Sequence, residues 1–260
     1  MAKLNLAKEQ NTVLNLAKAK NAGNDIKMQV KLLQDVSGSM SDEFRNGLME
    51  TVLQRVIAFA SVIDPDHKVE TIAYSSRSHH MGELDITAFD NATQVFLEKA
   101  KPVLWGGTNY ASVFEALNNA DGKELLVEAK AESTGLFGKI KSMFTSNPTP
   151  ALVAPATATA EEYPNMVIFI TDGEDGGSRS AFMNQLATTI ADGNTFVLLL
   201  GAGNEPTDFS LLQDADKKFE GVDFVSANGI RDLDNDTFYE KLMTPELMRF
   251  ITRWNEKAGK

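Results

Sequence analysis

From Ile26 to the C-terminus, short apolar runs of strand length alternate with longer segments whose apolar residues recur at helical spacing. That alternation restricts the chain to few architectures. Ile26, Met28, Val30 and Leu32 have period two, with Lys27, Gln29 and Lys31 on the opposite face, so burial of that strand on both sides is open. Phe44, Leu48, Val52, Val56 and Ala60 then recur every fourth residue, beside Leu53 and Ile57, which predicts one buried helix face. Strand-like Lys68 to Ser75, MVIFIT, TFVLLLGAG and VDFVSA follow, separated by the helical segments TQVFLEKAK, YASVFEALNNA, SAFMNQLATTIADG and FSLLQDADKKF. Thr244 and Pro245, suited to an N-cap and a first helical position, launch a last helix, ELMRFITRW. Strands alternating with helices form a mostly parallel sheet covered on both faces, so the expected fold is α/β, three-layered and doubly wound.

Two segments depart from this rhythm. LNLAK occurs at Leu4 to Lys8 and again at Leu14 to Lys18, each copy alternating apolar and polar residues around EQNTV, which predicts a β-hairpin over 1–22 preceding a domain over 23–260. A Pro, Ala and Thr-rich stretch predicts a flexible insert at about 121–163. Within it Leu136, Phe137, Ile140, Met143 and Phe144 share a helical face beside Lys139 and Lys141. Such a basic amphipathic face over 136–144 could dock on a partner or a membrane surface; the plainer expectation is a short helix on its own domain.

Composition narrows the functional classes. At 260 residues and 43% hydrophobic, the chain can bury a full core. No run reaches the roughly 18 to 20 apolar residues of a membrane span, and the Lys-dotted start lacks the apolar core of a secretory signal, so a cytoplasmic protein is expected. Zero cysteines exclude disulfides, thiolate metal sites and a Cys nucleophile. A net charge of -11 argues against unspecific nucleic-acid binding and is compatible with cations or basic partners.

Three polar clusters fall where strands end: Asp35, Ser37 and Ser39 in LLQDVSGSMSDEF, Thr108 in WGGTN, and Asp172 in ITDGE. Ligands of open α/β sheets bind outside the carboxyl ends of strands. Carboxylates and hydroxyls are hard oxygen donors, which select magnesium, manganese or calcium over zinc or copper. Gly38 is expected to give the first turn its backbone freedom, and Gly106 and Gly107 to let the neighbouring loop approach. Two carboxylates only balance a divalent ion, so a cation held by them and by neutral hydroxyls still accepts an anionic oxygen from outside. A calcium store would surround its ion with more acids, which ranks calcium behind magnesium and manganese.

DVSGS with a later GGTN and TDGE resembles the metal-ion-dependent adhesion site of von Willebrand factor A (vWA) domains: Asp-x-Ser-x-Ser, then a distant Thr, then a distant Asp. More narrowly, DVSGSMSDEFRNG, LWGGTNYASVFEAL and the LNLAK segment resemble tellurite-resistance (Ter) proteins of the TerF type, where a TerD-like start precedes the A domain. The resemblance implies a vWA, Rossmann-like sheet. It also implies Asp35 and Asp172 holding a metal mainly through water, Ser37 and Ser39 directly, and Thr108 directly or through water. It implies a partner protein whose Asp or Glu carboxylate completes the coordination, and a role in stress or tellurite resistance of a bacterium or phage.

Other candidates have plainer readings. Ser41, Asp42 and Glu43 suit the cap and first turn of the following helix. Glu174 and Asp175 lie beside the site and could tune it or shape a partner footprint, with solvated loop residues the plainer expectation; His79 and His80 read as exposed loop histidines whose side chains face opposite ways. Trp105 is expected to pack under the Thr108 loop and Trp254 in the core. A magnesium- or manganese-dependent hydrolase or phosphoryl-transfer enzyme is the alternative function, and a metal-free scaffold a second. The chain lacks a Walker Lys motif and a second Asp two residues after Asp35, so a binding module without catalytic residues is expected.

Overall fold

The computed structural model describes residues 4–20, 26–123, 163–173, 175–202, 207–226 and 233–259. The predicted amphipathic segment 136–144, most of the predicted insert, and Glu174 lie outside the described residues.

Among the described residues six strands form one sheet: β1 (Gln29–Asp35), β2 (Val69–Tyr74), β3 (Ser78–Leu84), β4 (Asn165–Thr171), β5 (Thr195–Gly201) and β6 (Val222–Ser226). Their order is β3-β2-β1-β4-β5-β6. All neighbours are parallel except β2 and β3. Every residue of β4 and β5 is buried, as a strand covered on both faces requires. Alternate side chains enter two separate cores. Val30, Leu32, Ile168, Leu198 and their neighbours pack beneath α1 (Leu6–Ala19), α3 (Leu48–Ile63), α4 (Ala92–Ala100), α8 (Asn235–Leu242) and α9 (Pro245–Ala258). Leu33, Val167, Phe169, Val197 and Leu199 pack beneath α5 (Tyr110–Ala120), α6 (Arg179–Ile190) and α7 (Ser210–Lys218). The doubly wound α/β expectation is met.

The N-terminal segment is helix α1, which corrects the β-hairpin expected over 1–22. Asn5 caps it, its side chain accepting from Lys8 N at 3.0 Å. Ala, Leu, Lys, Glu and Gln are strong helix formers, and Leu6, Glu9, Val13, Leu16 and Ala17 share one inward face at helical spacing. The period-two pattern within each LNLAK copy is too short to outweigh these preferences once the face packs on α3 and α8.

Smaller corrections have local causes. The predicted Phe44 to Ala60 helix is broken at Gly47, whose φ of 81° ends α2 (Ser41–Arg45) before α3 begins. Met40, with no side-chain cap bond, precedes α2, so Ser41 is its first residue, with Asp42 and Glu43 completing the acidic first turn. His79 and His80 lie on the antiparallel edge strand β3, which replaces the expected loop. Lys31, on the polar face of β1, is buried between Asp121 at 2.5 Å and Glu70 at 3.3 Å. Burial disfavours its charge, but the two carboxylates outweigh this and hold its pKa above the usual lysine value. Trp254 is half-buried, donating to Asn194 Oδ1 at 3.3 Å, while Leu247, Phe250 and Ile251 carry the core face of α9.

Candidate metal site

The chain runs from β1 outward through β2 to β3, then returns to place β4 on the other side of β1. Between β1 and β4 the winding direction switches, and loops leaving the two strands splay apart to form a crevice at their carboxyl ends. Asp35 is the last residue of β1 and Thr171 the last of β4.

Asp35 is wholly buried. Its Oδ1 accepts the backbone N–H of Ser37 at 2.7 Å and its Oδ2 accepts the Thr171 hydroxyl at 2.7 Å. The hydroxyls of Ser37 and Ser39 stand 3.0 Å apart, and Ser39 donates to Asp172 Oδ1 at 2.9 Å. Four of the five expected residues thus form one hydrogen-bonded cluster. It rises from buried Asp35 and Ser37 to exposed Ser39, open to the surface.

Thr108 belongs to a loop that docks against this cluster through its main chain. Trp105 N–H donates to Val36 O at 2.8 Å and Gly38 N–H to Gly106 O at 2.9 Å, joining that loop to the Asp35 turn. On the other side Gly176 N–H donates to Thr108 O at 3.0 Å, joining it to the loop that carries Asp172. Gly106 is required by close approach: a Cβ there would lie 2.6 Å from Ser75 Oγ and 2.9 Å from Ser76 Oγ. Gly107 has open space, and Gly38 does not adopt a positive φ, so neither has the role expected of it. Trp105 is the strained residue instead, with φ 62°. It is 42% exposed and meets Phe44 edge-on with centroids 5.8 Å apart, which overturns its expected place beneath the Thr108 loop.

The electrostatics of the crevice are one-signed. Burial pushes the Asp35 carboxyl up to about 6, against hydrogen bonds from Thr171 and Ser37. Burial, then the charge of Asp35, pushes Asp172 up to about 7. The main influences on the two carboxyls include no Lys, Arg or His, and the charge of nearby Glu43 adds to the upward push on Asp172. No group of three or more His, Cys, Asp or Glu among the described residues is arranged to hold a metal ion. A cation here would therefore draw on hydroxyls as well as the two acids. The donor set fits a hard divalent cation: its oxygens suit one, and two adjacent acids without a counter-charge favour one.

Two residues at the site escaped the sequence reading, and a third, Asp175, differs from its plainer expectation. Thr171 holds Asp35, and its only signal was its place before Asp172 in ITDGE. Tyr110 is buried, and its hydroxyl donates to Gly173 O. Asp175, expected to be a solvated loop residue, is half-buried and accepts Tyr110 N–H at 2.9 Å and Gly177 N–H at 3.0 Å through Oδ1.

Sheet order, the antiparallel edge strand and the crevice between β1 and β4 define an α/β domain of the vWA type. The profile of the vWA-TerF-like family, described as the vWA found in the TerF C terminus, matches residues 27–258. The chain belongs to that family. Helix α1 precedes the matched region. No curated protein matches the sequence significantly. Among solved structures, BatB of Bacteroides thetaiotaomicron is similar at 15% identity and TM-score 0.49, covering 86% of this chain and 99% of BatB. Manganese-loaded TRAP of Plasmodium vivax is 12% identical with TM-score 0.47, covering 85% of this chain and 73% of TRAP. The mussel byssus proximal thread matrix protein 1, with a zinc-occupied MIDAS motif, is 14% identical with TM-score 0.49; the match covers 86% of this chain and 46% of that one. The chain thus spans about half the length of the mussel protein.

Proposed function

We propose that this chain is a binding module in which Asp35, Ser37, Ser39, Thr108 and Asp172 hold a divalent cation, Mg2+ or Mn2+, for recognition of a partner protein's Asp or Glu carboxylate. The observation that carries the proposal is the pairing of Asp35 with Asp172 through Ser37 and Ser39, with no basic side chain among the described residues hydrogen-bonded to either carboxylate. When bound, a divalent cation supplies an electrophilic position for an outside carboxylate. Ser37, Ser39 and Thr108 contribute neutral oxygens, and Asp35 and Asp172 contribute the charge. Because those charges only balance a divalent ion, the site keeps its appetite for an anionic oxygen. Asp35 lies deepest and is fixed by Ser37 and Thr171, so the exposed end of the cluster, at Ser39, is where a partner's acid would arrive.

The module is non-catalytic on this reading. His67 is hydrogen-bonded to Ser61 O, and His79 and His80 sit on edge strand β3, so the three histidines supply no general base at the crevice. Membership of the vWA-TerF-like family supports a role in Ter-type stress or tellurite resistance of a bacterium or phage, and a cytoplasmic location is part of the same proposal.

Isothermal titration with Mn2+ and Mg2+, comparing wild type with Asp35→Ala, tests the site. Saturable one-to-one binding lost in the variant supports it, and equal binding by both overturns it. A chelator-sensitive pull-down with the captured protein identified, then repeated with that protein's acidic residues replaced, tests the carboxylate.

A further inference from the structure

We infer that Asp175, together with the two glycines that follow it, positions the Thr108 loop for the cation site; the inference rests on the proposed metal-binding reading. Thr108 is remote in sequence from both acids of the site, and no side-chain bond of its own is needed to place it if the main chain on each side is pinned. That pinning is what the loop after β4 supplies. Gly176 N–H donates to Thr108 O at 3.0 Å. Asp175 Oδ1 accepts the N–H of Tyr110, two residues beyond Thr108, at 2.9 Å, and closes its own turn by accepting Gly177 N–H at 3.0 Å. Tyr110 returns the contact by donating its hydroxyl to Gly173 O. The segment 108–110 is therefore held at both ends, to Gly173 and to residues 175–177.

Sterics make the same point independently. A Cβ on Gly176 would lie 3.0 Å from Thr108 O. One on Gly177 would lie 2.8 Å from Asn109 Oδ1 and 3.0 Å from Asp175 Oδ1. Only a chain without side chains at 176 and 177 lets the two loops approach this closely. Asp175 also carries an unusual cost, because its Oδ2 is buried with no hydrogen-bond partner among the described residues. An unsatisfied buried oxygen of this kind is destabilising and calls for a compensating role. Holding the Thr108 loop in register with Asp172 provides one.

The expected behaviour is that of a residue acting through a ligand rather than as one. Loss of such outer-shell partners typically weakens metal affinity by about 10 to 100-fold. Asp175→Ala removes the acceptor for Tyr110 and should weaken Mn2+ affinity by at least about tenfold. Asp175→Asn keeps an acceptor oxygen and should retain affinity within about threefold of wild type. Gly177→Ala retains the Asp175 side chain but crowds both its Oδ1 and Asn109 Oδ1, and should weaken Mn2+ binding as Asp175→Ala does. The control for general destabilisation is Asn118→Ala. Asn118 joins the far end of α5 to α6 through Gln185 and Thr189, so its loss should lower the melting temperature without changing Mn2+ affinity.

The experiment is Mn2+ titration calorimetry and metal-free thermal melting on these four variants and wild type. Weakened binding in Asp175→Ala and Gly177→Ala, with rescue in Asp175→Asn and none of it in Asn118→Ala, supports the inference. Unchanged Mn2+ affinity in Asp175→Ala, with wild type binding, overturns it. Equal weakening in Asp175→Asn and Asp175→Ala also overturns it, because charge and not loop position would then be the cause. Failure of wild type to bind Mn2+ or Mg2+ instead overturns the metal-binding reading on which it rests.

Discussion

The hydroxyl of Thr171 donates to Asp35 Oδ2 at 2.7 Å, joining the last residue of β4 to the last residue of β1 across the point where the sheet changes direction. Asp35 is buried, so an oxygen left without a donor cannot turn to water. Thr171→Val keeps the shape and removes the donor. At pH 7.5 with chelator present, urea unfolding should show a loss of about 1 to 3 kcal/mol, the cost of an unsatisfied buried acceptor. An unchanged midpoint would mean that Asp35 is held by Ser37 N–H alone.

Cation binding should appear as stability. A ligand specific to the folded state, present at 100 times its dissociation constant, stabilises by about 2.7 kcal/mol. Mn2+ or Mg2+ should raise the wild-type melting temperature, and Asp172→Ala should abolish the rise. Differential scanning calorimetry with and without chelator measures both.

The pH dependence has a definite sign. Burial raises Asp35 to about 6 and Asp172 to about 7, and burial likewise raises Asp64 to about 6, all above the unfolded value near 3.9. Between pH 4 and 7 the folded state binds more protons than the unfolded one, so the metal-free protein loses stability as pH rises. Its melting temperature should therefore climb as pH falls from 8 to 5. Cation affinity should move the opposite way, falling as pH drops through 7 to 5, because the ligand carboxylates take up protons. Melting curves and titrations across that range check the two trends together.

Glu9 ties α1 to the body of the domain. It is buried, accepts the Tyr239 hydroxyl at 2.9 Å, takes a hydrogen bond from Asn235, and lies 4.0 Å from Arg55 Nε. Removing one partner of a buried pair leaves an uncompensated charge, so Glu9→Ala should cost about 3 to 5 kcal/mol in urea unfolding. The double variant Glu9→Leu with Arg55→Met should recover part of that loss. Additive losses would show that the two charges do not interact.

Neighbouring glycines of the Thr108 loop should separate cleanly. Gly106→Ala places a methyl against Ser75 Oγ, itself bonded to Val103 O at 2.7 Å, and should cost about 1 to 3 kcal/mol with weakened Mn2+ binding. Gly107→Ala meets nothing within 4 Å and should stay within about 0.5 kcal/mol of wild type.

By itself the sequence determined what local repetition can carry. Period-two runs and helical spacings marked the strands and helices from Ile26 onward, and hence the layered sheet. Asp35, Thr108 and Asp172, all expected at strand ends, pointed to one crevice, although Thr108 lies in the loop before α5 and follows no strand end, and side-chain type pointed to oxygen chemistry. Local pattern failed where two signals competed over a short stretch: the LNLAK copies alternate like strands, but Asn5 as a cap and a face at helical spacing turn them into α1. Tertiary structure alone decided which distant groups meet. Thr171 against Asp35, Asp175 against Tyr110, Lys31 between Asp121 and Glu70, and Glu9 beside Arg55 are contacts between segments far apart along the chain. Their partners are fixed by strand order and loop approach, for which the residues carry no periodic mark, so a half-buried Asp175 and a solvated one read alike until the chain has folded.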